Sequence, residues 1–169
     1  SDGSLSTSTT FTLSISGKIT PTITWSTPAA ITYGTALSST QLNAAATSGG
    51  NSVAGSFSYS PVSGTILSAG SHTLSVTFTP DSSVSSTYNS ASTSVQIVVN
   101  PKALTITADA GQTKVYGVTP DPTLTYTTSG LVNGDTAAVL TGGLTRATGE
   151  NVDTYAISSS LANPNYVIT

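Results

Sequence analysis

The feature that most constrains this chain is an alternation of apolar and hydroxyl side chains, repeated from one end to the other. FTLSI places Phe11, Leu13 and Ile15 on one face, and TITW does the same with Ile23 and Trp25. HTLSVTF aligns Leu74, Val76 and Phe78 against Thr73, Ser75 and Thr77; VQIVV aligns Val95, Ile97 and Val99; LTITA pairs Leu104 with Ile106. A period of two is the pattern of a half-buried, antiparallel strand. Turn residues punctuate the runs, in SGGNS (48–52), SGT (63–65), SAGS (68–71), VNGD (132–135) and TGG (141–143). Asn133-Gly134 suits a positive-φ turn. Only SSTQLNAAA and GDTAAVL tolerate a helix, and both are short. The expected class is all-β.

Composition supports the same reading. Charged residues make up 7% of the 169 residues, and hydrophobic ones 37%. Ser and Thr take roughly a third of the chain, so hydroxyls rather than charges solvate the exterior. β-Branched Thr also fits a pleated surface. Low charge and modest hydrophobicity can signal disorder, but the apolar residues here fall in alternating runs. The opening SDGSLSTSTT is expected to be a mobile lead-in.

Four Lys and Arg residues (Lys18, Lys102, Lys114 and Arg146) and a net charge of −3 cannot make the basic surface that nucleic acid requires. No run approaches the ~18 apolar residues of a membrane-spanning helix. There is no Cys, so disulfide stapling is excluded, and no Asn-x-Ser/Thr sequon.

Proline marks the boundaries. GKITP (17–21) and VNPKA (99–103) each follow one strand pattern and precede another. Pro removes a ladder donor and keeps its predecessor extended, which suits a short, stiff joint. The chain therefore divides into 1–19, 20–100 and 101–169. A Tyr-Gly pair comes early in each of the two longer segments, as Tyr33-Gly34 in ITYGTAL and Tyr116-Gly117 in KVYGVTPDP. A second tyrosine comes late in each, Tyr88 and Tyr166, giving spans of 55 and 50 residues. Matched landmarks at similar spacing indicate tandem modules. Each Tyr-Gly is expected to be one device, a ring covering the sandwich end beside a Gly that permits close approach.

The phase of the repeat suggests an excerpt of a longer array. Residues 1–19 hold the last strand of a preceding module, or an exchange strand, plus a linker. Residues 101–169 lack a closing strand. The expected fold is two tandem Ig-like β-sandwiches with an extra N-terminal strand and an incomplete second module. Residues 10–16 could complete an open module in another molecule by strand addition.

Longer strings carry a resemblance. TPTITWSTPAAITYGTALSSTQLNA with GSFSYSPVSGTILSAGSHTLSVTFTPDSS and YNSASTSVQIVVN resembles a bacterial Ig-like repeat. KALTITADAGQTKVYGVTPDPTLTYTTSGLVNGDTAAVLTGGLTRATGENVDTYAI and LANPNYVIT resemble the bacterial MBG domain of the YGX type. The resemblance spans residues 20–169 and implies tandem sandwich stalks of large secreted or surface-anchored bacterial proteins, often adhesins. It brings no catalytic residues with it.

Candidate chemistry is sparse. His72, the lone histidine, sits at a strand entrance, and one His without Cys or clustered carboxylates cannot close a metal site. Glu150 and Asp153 lie three apart, and Asp135 follows a turn Gly, but no run converges the six to eight oxygens calcium takes. An inter-module joint gathering Asp109 with loop carbonyls is the one cation site left open. No paired carboxylates or Gly-x-Ser-x-Gly elbow point to an enzyme. A crosslink of Lys to Asn or Asp beside an acid can be imagined at Lys18, Lys102 or Lys114 with Glu150 as the acid, although solubilising lysines are the simpler account. Trp25 is expected in the core, Tyr88 and Tyr166 as corner tyrosines tying a loop through their hydroxyls, and Tyr59 and Tyr126 nearer the surface.

The expectation is a non-enzymatic spacer without cofactor, metal site or assignable binding residues, part of an extracellular or cell-surface bacterial adhesin or fibre. Its partners would be neighbouring Ig-like modules of the same or another copy. Two alternatives are an adhesive module for glycan or host protein, and a filament subunit polymerising by strand exchange.

Overall fold

The computed structural model describes residues 17–169; the strand expected over residues 10–16 lies outside the described residues. The described chain is all-β, with one 3-10 turn at Ala137–Val139 where GDTAAVL tolerated a helix. SSTQLNAAA instead forms a turn leading into a strand.

In the N-terminal half, strands β1 (Thr22–Thr24), β3 (Ala45–Ser48) and β4 (Asn51–Ser52) make one sheet in the order β1-β3-β4. The second sheet joins β2 (Ile31–Thr32), β7 (Ala91–Asn100), β6 (Gly70–Pro80) and β5 (Gly55–Ser60), in that order. The β6–β7 pairing runs from Gly70↔Val99 to Phe78↔Ala91. Its alternation buries Leu74, Val76 and Phe78 on β6 and Ile97 and Val99 on β7, with hydroxyls outward. Each such side chain, fully buried, contributes about 1.5–3 kcal/mol relative to exposure. SGGNS closes the β3–β4 hairpin, with Gly49 at φ 57° and Gly50 at φ 83°, the backbone that only Gly adopts freely.

In the C-terminal half, β12 (Tyr166–Ile168), β8 (Lys102–Ala108) and β9 (Tyr126–Ser129) form one sheet, β12 parallel to β8. Strands β10 (Leu144–Arg146) and β11 (Ile157–Ser159) form a two-stranded partner. No strand pairing crosses Pro101 among the described strands. The halves repeat one plan. The parallel bridge of Ile19 with Tyr88 corresponds to Tyr166 beside Lys102. β3 on β1 corresponds to β9 on β8, and β5–β6 to β10–β11. Among the described residues, nothing in the C-terminal half stands where β7 stands in the first.

The core does not stop at Pro101. One cluster runs from Leu37, Leu74, Ile97 and Val99 through Tyr33 to Leu104 and Tyr166, with Leu131, Val132 and Ile106 packed against it.

Candidate functional site

Two places gather the side chains that the sequence singled out. The first is the joint around Pro101. The parallel β2–β7 ladder extends one step beyond Thr32, where the Tyr33 amide donates to the Asn100 carbonyl at 2.8 Å. That bond fixes the Tyr33 ring at the point where the chain leaves the first half. On the other side, the parallel pairing of Tyr166 with Lys102 fixes the Tyr166 ring where the chain enters the second. The rings meet edge to face at 5.4 Å.

The VNGD turn supplies the polar element. Asn133 at φ 59° and Gly134 at φ 76° reverse the chain, and the Asp135 amide donates to the Val132 carbonyl at 3.0 Å. Asp135 Oδ2 then accepts hydrogen bonds from the Tyr33 hydroxyl at 3.0 Å and the Tyr166 hydroxyl at 2.7 Å. The Val132 amide donates to the Tyr166 hydroxyl at 3.1 Å. Burial, and secondarily the hydrogen bond to Asp135, raise the Tyr166 pKa above that of an ordinary phenol. The Ala69 amide also crosses the joint, donating to Asn165 Oδ1 at 2.8 Å. Val132 packs over Gly34, so closely that a Cβ on Gly34 would lie 2.7 Å from Val132 Cγ2.

The corner role expected of Tyr166 is therefore present. Tyr88 is held differently, through its backbone bridge to Ile19, and among the described residues no hydrogen bond reaches its hydroxyl. The two Tyr-Gly pairs also part company. Tyr33 is 8% exposed within the joint, whereas Tyr116 is 71% exposed and nothing lies within 4 Å of a Cβ built on Gly117. The pairs were expected to be one device; only the first covers a sandwich end, because only it has a neighbour to pack on.

The second place is an open cleft of about 920 Å³ in the C-terminal half. One wall is Gln112–Tyr116 and the other Val152–Ile157, over a floor that includes Leu124, Leu140, Leu144 and Leu161. Four charges close a ring there. Lys114 Nζ lies 2.6 Å from Asp121 and 2.8 Å from Glu150, and Arg146 pairs with the same two carboxylates, at 2.7 Å to Asp121. Arg146 also lies over the Tyr155 ring, 5.2 Å from its centre. Hydrogen bonds from Arg146 and then Lys114 lower the Asp121 pKa to about 2. Those from Lys114 and then Arg146 lower that of Glu150, and the Lys114 pKa is raised in return, chiefly by Asp121. Lys114 and Glu150 do meet, as the crosslink idea required. Their ionisation works against it: a protonated amine is no nucleophile, and a carboxyl whose pKa is lowered by two cations is a poor proton donor.

The remaining candidates resolve into structure. Trp25 packs against the core, donates from Nε1 to the Gln41 carbonyl at 2.9 Å and meets Tyr59 edge to face at 5.4 Å. Tyr59, expected nearer the surface, is half-buried because its hydroxyl accepts the Ala44 amide at 2.9 Å. Tyr126 is likewise half-buried, on β9 at the cleft. His72 Nε2 lies 2.8 Å from the Ser68 carbonyl oxygen, closing the turn before β6. Asp109 is not at the joint. It follows β8 at the end remote from Pro101, where its amide donates to the Thr125 carbonyl at 3.1 Å. Among the described residues no three His, Asp or Glu side chains are grouped to hold a metal ion, and no helix is long and apolar enough to cross a membrane.

With that geometry in place, the comparison with known families is specific for one half. Residues 104–169 match the family model of the MBG domain (YGX type). The matched region contains β9, the VNGD turn, the charged ring and Tyr166, so Val132, Asp135 and Tyr166 of the joint lie within it. Neither the curated proteins nor the solved structures contain a match to the chain.

Proposed function

We propose that this chain is a spacer segment of a large extracellular or surface-anchored bacterial protein. In it residues 20–100 are an Ig-like module, residues 101–169 an MBG module, and the joint between them keeps the two in a fixed alignment. The observation that carries the reading is the convergence of Tyr33 and Tyr166 on Asp135 across Pro101. A flexible connection would leave that buried polar cluster unformed, because such hydrogen bonds need a held geometry. A segment that aligns its modules transmits position and force along an array, and its partners are other modules in line. The reading is also non-enzymatic: Asp121 and Glu150 are each engaged by two cations, so neither is free to act as a general base.

The test is backbone 15N relaxation of the whole chain. Common tumbling of the two halves is the expected result. Independent tumbling would remove the aligned-spacer reading, and specific retention of one sugar on a glycan array would favour an adhesive module instead.

A further inference from the structure

A sheet edge carries unpaired amides and carbonyls that can recruit another strand, so stable proteins shorten, charge or bend their edges. In the N-terminal half β1, β2 and β4 are short, with three, two and two residues. β5 is the exception. It ends the β2-β7-β6-β5 sheet with six residues, Gly55–Ser60, and pairs with β6 alone. Among the described residues, none of its backbone groups bonds elsewhere. The register with β6 runs unbroken from Gly55↔Pro80 to Ser60↔Ser75, so no bulge turns the edge away. Nor does charge guard it, because no charged residue falls anywhere between Lys18 and Asp81.

The register also shows which groups are free. The Asp81 amide donates to the Ala54 carbonyl at 3.1 Å, and Pro80, opposite Gly55, has no amide to give. Alternation from that point directs the backbone of Ser56, Ser58 and Ser60 towards β6, and that of Gly55, Phe57 and Tyr59 towards the open edge. The side chains divide in the same way. Ser56, Ser58 and Ser60 are exposed, whereas Phe57 and Tyr59 turn inward and are half-buried. Their rings stack 6.3 Å apart beside an open groove of about 390 Å³ that includes Leu42 and Val62, the latter 63% exposed.

SFSYS (56–60) has the same pattern in both directions: hydroxyl, aromatic, hydroxyl, aromatic, hydroxyl. An antiparallel copy of the strand therefore matches it face for face. With Ser58 opposite Ser58, the free backbone groups of each Phe57 meet those of the other copy's Tyr59, and each aromatic lies across from an aromatic.

We propose that β5 is a self-pairing edge, joining two copies of this chain antiparallel about a two-fold axis at Ser58. The four-stranded sheet of each copy then continues into that of the other. A neutral strip is what self-pairing requires, since any charge on the axis would face its own image. The contact is isologous and closes on itself, so assembly stops at two. The proposal concerns β5 alone and holds or falls independently of the spacer reading.

The whole chain has no Cys, so Ser58→Cys introduces a lone thiol. In the pair that position is non-hydrogen-bonded and on the axis, where Cα atoms approach to ~4.5 Å, within disulfide range. Ser94→Cys is the control, exposed on the same sheet but in the interior strand β7. Under mild oxidation Ser58→Cys should form a species of twice the chain mass at least ~10-fold faster than Ser94→Cys, because pairing raises the local thiol concentration. Six residues make a small interface, so sedimentation of the parent should show a reversible dimer, and nothing larger, as concentration rises to ~1 mM. Ser58→Lys sets like charges on the axis and should keep a single-chain mass. Ser58 is exposed, so the fold is retained, which the unfolding midpoint verifies. Equal oxidation rates for the two thiol variants, a parent of single-chain mass throughout, or a Ser58→Lys protein that pairs as the parent does overturns the proposal.

Discussion

Tyr33 and Asp135 stand 102 residues apart in the chain, yet the Tyr33 hydroxyl donates to Asp135 Oδ2 at 3.0 Å. Tyr166 donates to the same oxygen at 2.7 Å, so a single carboxylate atom holds a ring from each side of Pro101.

Asp135→Ala removes the acceptor from both hydroxyls. Tyr166 is buried, so its hydroxyl loses a partner that water cannot easily replace, and the expected loss is about 1–3 kcal/mol. Tyr33→Phe removes one bond and should cost roughly 0.5–1.5 kcal/mol. Urea unfolding of both single variants and the double variant checks this; strictly additive losses would mean that the pair is not coupled.

Gly34→Ala and Gly117→Ala separate packing from backbone strain. Both glycines have positive φ, 93° and 76°, so each substitution carries a strain cost of about 1 kcal/mol or more. Only at Gly34 does the new Cβ meet a neighbour, Val132 Cγ2 at 2.7 Å. Gly34→Ala should therefore be the more damaging by at least ~1 kcal/mol, the lower end of overpacking costs. Equal melting temperatures for the two variants would contradict the joint geometry.

The charged ring sets an acid limb. Asp121 has its folded pKa lowered from 3.8 to about 2, so the unfolded chain binds more protons between those values. The contribution of this group is fully present above pH ~4 and is lost as pH falls towards 2. Lys114 acts in the opposite sense: its raised pKa gives a contribution present below about 10.5 and lost as the pH rises above it. Carboxyl carbon shifts followed by NMR should place Asp121 near 2 and Glu150 below its usual range, and Arg146→Gln should return both upward. High salt should weaken the ring, since it is open to solvent.

Leu104 tests whether the core is continuous. It is fully buried and belongs to the cluster that includes Leu74 and Ile97, although it lies beyond Pro101. Leu104→Ala should cost roughly 2–5 kcal/mol. Because Trp25 is the sole tryptophan and lies in the first half, its fluorescence reports that half. A lowered Trp25 transition in Leu104→Ala is expected; an unchanged one would show that the halves unfold separately.

The strands were the most legible part of the sequence. β6 and β7 carry their own period-two signal, and burial on one face is a local consequence of it. The VNGD turn was legible for the same reason, since positive φ at Asn133 and Gly134 is a property of those residues. The role of Asp135 was not. Turn chemistry explains its place in the chain, but its partners lie 102 and 31 residues away. The ring of Lys114, Asp121, Arg146 and Glu150 was half visible, as a lysine and a glutamate singled out without the two residues that hold them.

By itself, then, the sequence determined the all-β class, the turns and the repeat of landmarks, because these follow from side-chain alternation and backbone preference over a few residues. Only the tertiary structure decided what the two Tyr-Gly pairs do. Tyr33-Gly34 and Tyr116-Gly117 are alike locally, and burial is a property of what packs against a residue. The first meets Val132, Asp135 and Tyr166; the second stands beside an open cleft.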